Sequence, residues 1–517
     1  GASIEPLLAY TNLIDIRYLV GLGRARQPLP PLQALPPEAA VPLSVLRRST
    51  GHAGLPVLAL SYPWCSRRHP DPKGELLQAV LPLFEAIVGF CDANVGTAGP
   101  ITWGVMWDFG SFPQHGYSAS MQPLISMVGL VEEAKPGEYT TYSSNDTRFE
   151  EIREGFFDDR STVERAKADL GRENIGRWFV HKHVWKLFID APLPAITSSG
   201  RGGFDNRGWC SFEARLASLI TKSELLISLK AYQEAVFARR KMKKGEPAVL
   251  TWGAIVRESR AFRTPPITPM AFRKLLRHGV DEGTLSFSEP SDLSEFVLPN
   301  YERAYANALP SIAIIDLNQQ GWGNDEVAAL ARMILDGHKM NLLDELTEVR
   351  LSGNRFGDDG MFALLECVHE GAFDRLTVLN VSDNMIGDEG LEALADAIKV
   401  GRLGCWSTIN VKGNKRVVEQ GRRRHVERAL RARQELDIDP KSWKSKGEEP
   451  PEEVVKAWEE LPWSKERVKN RANRKEVAAA ILIQSIVRGK KARHETQTKI
   501  KVNKMMLGRT KSGRIKL

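Results

Sequence analysis

A chain of 517 residues is too long for one ordinary domain, and two to four are expected. Its 42% hydrophobic and 26% charged residues are those of a folded soluble protein, not of a disordered or fibrous one. The net charge of +8 needs locating: residues 465–517 carry 17 Lys and Arg against 3 Asp and Glu, or +14, which leaves −6 for everything before them. Basicity belongs to the tail.

No apolar run of about 20 residues is present, so no membrane span is expected. Residues 9–22 are apolar in places but carry Asp15 and Arg17, and no small-residue cleavage pattern follows, so a signal peptide is not expected. The five cysteines (65, 91, 210, 367 and 405) are odd in number, widely spaced and form no CxxC pair. Neither a zinc site nor a disulfide framework is expected, and a reducing, intracellular compartment fits.

In chain order, residues 1–26 read as a short helical or strand-forming preface. Six prolines then fall between positions 27 and 43, which reads as an extended linker closing an N-terminal segment, 1–43. Residues 55–62 read as a buried strand, residues 75–91 as a helix by apolar period, and residues 101–108 as a second strand with Trp103, Val105 and Trp107 on one face. Residues 129–171 are polar and turn-rich and read as an insertion; residues 178–189 read as a third strand. His181 and His183, two apart on that strand, would share a side, but no third ligand is placed by spacing and Lys182 and Lys186 disfavour a cation. A glycine-rich loop, 198–203, leads into Arg207-Gly208-Trp209-Cys210-Ser211-Phe212-Glu213 and an amphipathic helix.

This order, strand and helix alternating, is that of a parallel sheet covered by helices. Polar residues just past the carboxyl ends of such strands converge on one edge. Here they are Ser61, Tyr62, Trp64, Arg67, Arg68, His69 and Asp71, then Asp108, Ser111 and Gln114, then Glu213. Glu213 has two readings: a carboxylate favoured near the positive end of its helix, or a site residue.

Residues 55–300 carry a resemblance. Leu60-Ser61-Tyr62 and the stretch Arg207–Glu213 resemble the corresponding segments of TIR domains, which are flavodoxin-like; residues 107–114, the turn His69-Pro70-Asp71-Pro72 and the helical segment at 263–269 are similar to large proteins of single-celled eukaryotes. The resemblance implies that Glu213, after a Trp-Cys pair, is the catalytic residue of NAD⁺ cleavage, with Tyr62, Trp64, Arg67 and Asp108 lining the substrate site. One departure is the spacing, since about 100 residues separate Asp108 from Gly208. The chemistry needs little: nicotinamide leaves from a cationic state, so one carboxylate that stabilises an oxocarbenium-like centre can suffice. The competing reading makes Trp209 and Cys210 core and pairs Glu213 with Arg67, Arg68 or Arg207.

Residues 346–354, 376–384 and 407–414 repeat one pattern, with Asn354, Asn384 and Asn414 spaced 30 apart. Residues 312–318 are a degenerate earlier copy. Each unit reads as a short strand, an asparagine turn and an amphipathic helix such as 387–398. This is the leucine-rich repeat pattern and resembles the ribonuclease-inhibitor subtype; three or four units bury a continuous core. Arginines at 422–424, 428, 431 and 433 read as a basic helix closing the array, and residues 437–472 as a charged linker with a short helix at 452–463.

Ile483-Gln484-Ser485-Ile486-Val487-Arg488-Gly489-Lys490-Lys491-Ala492-Arg493 matches the IQ motif at every defined position. On a helix, Ile483 and Val487 share a face suited to an apolar groove, Gln484 offers an amide, and Arg488 and Arg493 face an acidic partner, with Gly489 between. The apolar residue usual three beyond the last arginine is replaced by Thr496. The resemblance implies calmodulin or an EF-hand light chain; a solvated basic helix, or one that binds RNA, microtubules or anionic lipid, is the competing reading.

The fold expected is therefore α/β: a TIR-like parallel-sheet domain at 44–307, a leucine-rich repeat solenoid with basic cap at 308–436, a linker at 437–472, an IQ helix at 473–496 and a basic tail at 497–517. Two functions remain open. One is an intracellular interaction or scaffold protein, cytoplasmic, cytoskeletal or ciliary, with a protein ligand on its repeats and no metal or certain cofactor. The other is an NAD⁺-cleaving signalling enzyme, for which NAD⁺ is substrate.

Overall fold

The computed structural model describes residues 4–66, 69–95, 100–115, 158, 160–197, 202–242, 250–399, 408–414 and 426. The chain divides into two compact units, Gly1–Ala217 with Thr221–Ala261 and Val280–Ser288, and Ser218–Ile220 with Phe262–Gly279 and Glu289–Leu517.

The first unit is built on a five-stranded sheet of β1 (Ile14–Asp15), β2 (Val57–Ser61), β3 (Gly104–Met106), β4 (Trp185–Phe188) and β5 (Leu226–Ser228). Its order is β1-β3-β2-β4-β5. β1 runs antiparallel to β3, and every other pair is parallel. The parallel strands thus lie in the sequence order second, first, third, fourth. Winding reverses between β2 and β4, the switch point at which doubly wound sheets open a crevice. All five residues of β2 are buried, as expected of a parallel strand covered on both faces. Leu58, Leu60, Trp185 and Leu187 enter the main core, while Phe188 and Leu226 pack with Ala217 and Ala261 on the other face.

Among the described residues, the helices of seven or more residues that accompany this sheet are α1 (Ile16–Arg24), α2 (Glu75–Ala93), α3 (Thr162–Val180), α4 (Gly208–Ile220), α5 (Leu229–Met242) and α6 (Trp252–Glu258). Among the described residues α2 is the one helix long and apolar enough to cross a membrane. Its Leu76, Leu77, Val80, Leu83, Phe84 and Ile87 are instead buried in the main core.

Three expectations are corrected. The proline-rich stretch is not a free linker. Leu29 is fully buried, two single 3₁₀ turns form at Leu32–Ala34 and Pro37–Ala39, and Val41 N–H donates to Leu13 O at 2.9 Å. Proline fixes an extended backbone, and here apolar neighbours bury it. The third strand is shorter than 178–189: residues 178–180 close α3, and only 185–188 pair. A capping box starts α3, with Ser161 Oγ accepting from Glu164 N–H and the Glu164 carboxylate accepting from Ser161 N–H. That helix occupies the end of the stretch read as an insertion. His181 and His183 consequently do not share a strand face; His181 follows the helix, and burial beside Lys186 pushes its imidazole down to about 3. No group of ligands suited to a metal occurs among the described residues.

The second unit carries a parallel sheet, β6 (Ile314–Asp316), β7 (Glu348–Arg350), β8 (Val378–Asn380) and β9 (Thr408–Asn410), with helices α7 (Asn324–Lys339), α8 (Asp358–His369) and α9 (Asp388–Lys399) between successive strands. Register is uniform: Ile315, Val349, Leu379 and Ile409 align. Leu351, Val381 and Val411 are buried at equivalent places, as the repeat predicts. The position before each turn asparagine is left-handed, at Gly353 (φ 71°), Asp383 (55°) and Gly413 (71°), as is Gln319 (56°) before Gln320 at the equivalent place of the degenerate first copy. Only glycine meets that requirement without strain, and two of the four repeats use it. The basic stretch near 422–433 (apart from buried Val426), the linker, the IQ segment and the tail lie outside the described residues.

Candidate functional site

Tyr62 follows the last residue of β2, and Asp108 begins a single helical turn, Asp108–Ser111, just beyond β3. Glu213 lies in the second turn of α4, and Cys210 one turn before it. The strand order brings these to one edge of the sheet. Tyr62 Oη donates to Asp108 Oδ1, Trp64 Nε1 donates to Asp108 Oδ2 at 3.2 Å, and Phe109 N–H donates to Oδ1 at 2.7 Å. Tyr62 also meets the Trp107 ring edge-on, 5.7 Å between centroids, and Trp64 meets Phe109 at 5.8 Å.

Asp108 is fully engaged by these donors. Burial raises its carboxyl above the ordinary range, against the hydrogen bonds from Tyr62, Phe109 and Trp64 that favour the charge. Burial and the Asp108 charge push the Tyr62 phenol well up. Glu213 is only 7% exposed, and burial raises it well above the usual carboxylate range; the Ser61 hydroxyl counteracts this and the Asp108 charge adds to it. Burial thus shifts Glu213 toward its neutral acid. The Cys210 thiol, 1% exposed, is raised by burial and then by Glu213, so it packs as a small apolar group and is no nucleophile. Arg207 Nη2 donates to Trp64 O at 3.1 Å, tying the loop before α4 to the segment after β2.

The start of α4 has one strict requirement. A Cβ on Gly208 would stand 2.1 Å from the Phe287 ring, and Gly208 N–H donates to Ser286 O at 2.9 Å. Glycine lets the backbone pass the ring and sets the helix that carries Glu213.

Of the residues expected at this edge, Tyr62, Trp64, Asp108 and Glu213 come together; Arg67 and Arg68 lie outside the described residues. His69 and Asp71 serve structure. Asp71 N–H donates to His69 Nδ1 at 2.9 Å, so the imidazole is the Nε2–H tautomer donating to Leu29 O at 3.1 Å, and burial lowers it to about 4. Asp71 Oδ2 accepts from Leu77 N–H at 2.9 Å at the start of α2. The sequence places Ser61 at this edge and Cys210 only in the motif before Glu213, and marks neither as an immediate neighbour of Glu213. Asp190, just past β4, went unnoticed; it accepts from Ser228 Oγ at 2.6 Å and Lys230 N–H at 2.9 Å.

The second candidate is the strand face of the repeats. Side chains alternate along each strand, so Ile315, Val349 and Leu379 point inward and their neighbours outward. The outward set is Ile314, Asp316, Glu348, Arg350, Val378, Asn380, Thr408 and Asn410. Ile314 is 48% exposed, and Arg350 pairs with Glu348 at 2.5 Å and Asp316 at 3.8 Å. Below that face runs an asparagine ladder. Asn354 donates to Leu317 O and Leu351 O, Asn384 to Leu351 O and Val381 O, and Asn414 to Val381 O and Val411 O, all at 2.8–3.1 Å. Each amide joins its own turn to the preceding repeat, satisfying carbonyls that leave the strand ladder.

The class these features define is a mixed α/β protein with leucine-rich repeats. The family described as Leucine Rich repeat matches residues 346–365 and 376–395, two consecutive units that span β7 to α9. A search of curated proteins finds no match.

Proposed function

We propose that this chain is an intracellular interaction protein that holds a partner protein on the strand face of its repeats and calmodulin, or a related EF-hand protein, on residues 473–496. The observation that carries the first half is the outward face of β6 to β9: polar, locally charged around Arg350, with exposed Ile314 and the half-buried Val378 as apolar contacts. Leucine-rich repeats generally bind proteins, and a face whose backbone is fixed by an asparagine ladder is preorganised for contact, which lowers the entropy cost of binding. Val378→Arg with Asn380→Arg is expected to lose the partner that wild type co-purifies, while Glu366→Arg, on an exposed helix position, keeps it. Equal loss with both variants would reject the strand face.

The second half rests on the complete IQ spacing and on a tail of charge opposite to the rest. A groove-binding partner reads particular side chains, whereas nucleic acid or a microtubule reads total charge and is lost steeply with salt. A peptide of residues 473–496 is expected to lose calmodulin affinity on Ile483→Ala with Gln484→Ala, although its charge is unchanged. Undiminished affinity would leave only coulombic attraction. The proposed setting is the cytoplasm, in a cytoskeletal or ciliary assembly.

A second reading, a TIR-type NAD⁺ glycohydrolase, is favoured by the convergence of Tyr62, Trp64, Asp108 and Glu213 at the switch point. Burial favours neutral Glu213, and a bound cationic nicotinamide would restore its charge by lowering its proton affinity. Wild type is then expected to cleave NAD⁺ and Glu213→Gln not to. Absence of turnover by the oligomerised wild type would reject this reading.

A further inference from the structure

The first unit contains a cavity of about 240 Å³ at the amino end of β2, away from the carboxyl edge that carries Glu213. Its wall is formed largely by Ile4, Leu8, Leu13, Leu46, Val57 and Trp178. Val57 opens β2 and Tyr62 follows its close, so the two ends stand roughly 16 Å apart along the strand at its ordinary rise.

The polar side chains Glu5, Arg47 and Ser49 in the lining are already paired, and Trp178 Nε1, buried without a partner, is the one open side-chain donor. Arg47 donates from Nε to Glu5 Oε1 at 3.1 Å and from Nη2 to Oε2 at 2.6 Å, a bidentate pair at the rim. Ser49 Oγ donates to Val45 O at 2.8 Å and accepts from Thr102 N–H at 3.1 Å. A water deep inside would find one open side-chain donor, Trp178 Nε1, short of the two to four polar partners it needs. An engineered cavity of about 150 Å³ lined by Leu, Ile and Phe takes up benzene, so this volume has room for one such ring. With Trp178 Nε1 the single open side-chain donor in an otherwise apolar wall, a charged ligand would lose more hydration on entry than that one hydrogen bond returns.

We propose that this cavity is a binding site for an uncharged apolar small molecule, a monocyclic aromatic or a short alkyl chain. It is independent of the carboxyl-edge site, and its test leaves the NAD⁺ and repeat readings untouched.

The probe is fluorobenzene, followed by ¹⁹F line broadening on titration into the full-length protein. Saturable binding is expected, together with a rise in melting temperature that follows ligand concentration, since a ligand confined to the native state stabilises it. Leu8→Trp, at the half-exposed lip, is expected to weaken fluorobenzene at least tenfold by filling the space. Leu43→Ala enlarges the cavity, is expected to retain fluorobenzene, and should admit fluoronaphthalene at least tenfold more tightly than wild type does. This second variant decides the matter if Leu8→Trp does not fold. Fluorobenzene that fails to saturate in wild type overturns the proposal, as does binding that neither variant changes. Preference for fluorobenzoate over fluorobenzene would overturn the apolar assignment.

Discussion

Asn384 is 1% exposed, and its amide nitrogen serves Leu351 O at 2.9 Å and Val381 O at 3.1 Å, carbonyls from two successive repeats. Asn384→Ala removes that donor, while Leu351 O keeps Asn354 Nδ2 and Val381 O keeps Asn414 Nδ2, so neither carbonyl is orphaned. Two buried hydrogen bonds lost at about 0.5–1.5 kcal/mol each cost about 1–3 kcal/mol, before any cavity is counted. Global unfolding of a multi-unit chain is not two-state, so a midpoint would not isolate this term. Native-state hydrogen exchange does, because it reports local opening. The amides of Leu351, Gly353, Val381 and Asp383 donate within the ladder, to Asn380 O, Ser382 O, Asn410 O and Lys412 O at 2.7–3.0 Å. They are expected to exchange about 5-fold to 140-fold faster in the variant, since about 1.4 kcal/mol is a factor of ten. Amides of β2 and β4 in the other unit serve as the internal reference. Exchange at all four positions within threefold of wild type would refute the claim that the asparagine amide carries the junction between repeats.

Gly208→Ala forces a methyl group to within 2.1 Å of the Phe287 ring, and overpacking of this kind costs about 1–3 kcal/mol; a melting temperature equal to wild type would mean the loop shifts freely. Gly353→Ala, at φ 71°, is expected to cost about 1 kcal/mol, read by the same exchange experiment at β7. The buried carboxyl of Glu213 makes a pH prediction. Its folded-state pKa is raised above the ordinary glutamate value of 4.5, so its contribution is fully present below that pH and is lost as pH rises toward the folded value, because unfolding then releases a proton. For each such acid the slope approaches about 1.4 kcal/mol per pH unit. Glu213→Gln, neutral at every pH, is expected to flatten the decline of stability above pH 4.5. An identical pH profile in the two proteins would place Glu213 in water.

What the sequence conveyed depended on the kind of signal. The repeats were legible because period, buried apolar positions and turn asparagine are set by one local unit stacked on itself, so Asn354, Asn384 and Asn414 identify the register unaided. The strand at 57–61 and the helix at 75–93 were legible as a continuous apolar run and a helical period. Residues 178–180 were misassigned because Trp178, Phe179 and Val180 are strong strand formers by type, while the cap that makes them helical lies at Ser161, seventeen residues upstream. The proline stretch was misread because proline content sets stiffness and says nothing of burial, and Leu29 and Val41 find a core that composition cannot display. At the carboxyl edge, strand order did bring Tyr62, Trp64 and Asp108 together. The burial of Glu213 and its nearness to Ser61 and Cys210 were not legible, because they depend on where α4 packs and so on how Gly208 passes Phe287.

The measurement that bears most directly on the central claim is site-specific photo-crosslinking in cells of origin. A crosslinking amino acid is placed singly at Val378 or Asn380 on the strand face, or at Phe362 or Glu366 on the exposed side of α8. The account predicts that one protein crosslinks from both strand positions, that unlabelled wild-type chain competes with it, and that neither helix position captures it. Capture from the helix positions with none from Val378 and Asn380 would contradict a partner held on the strand face of the repeats.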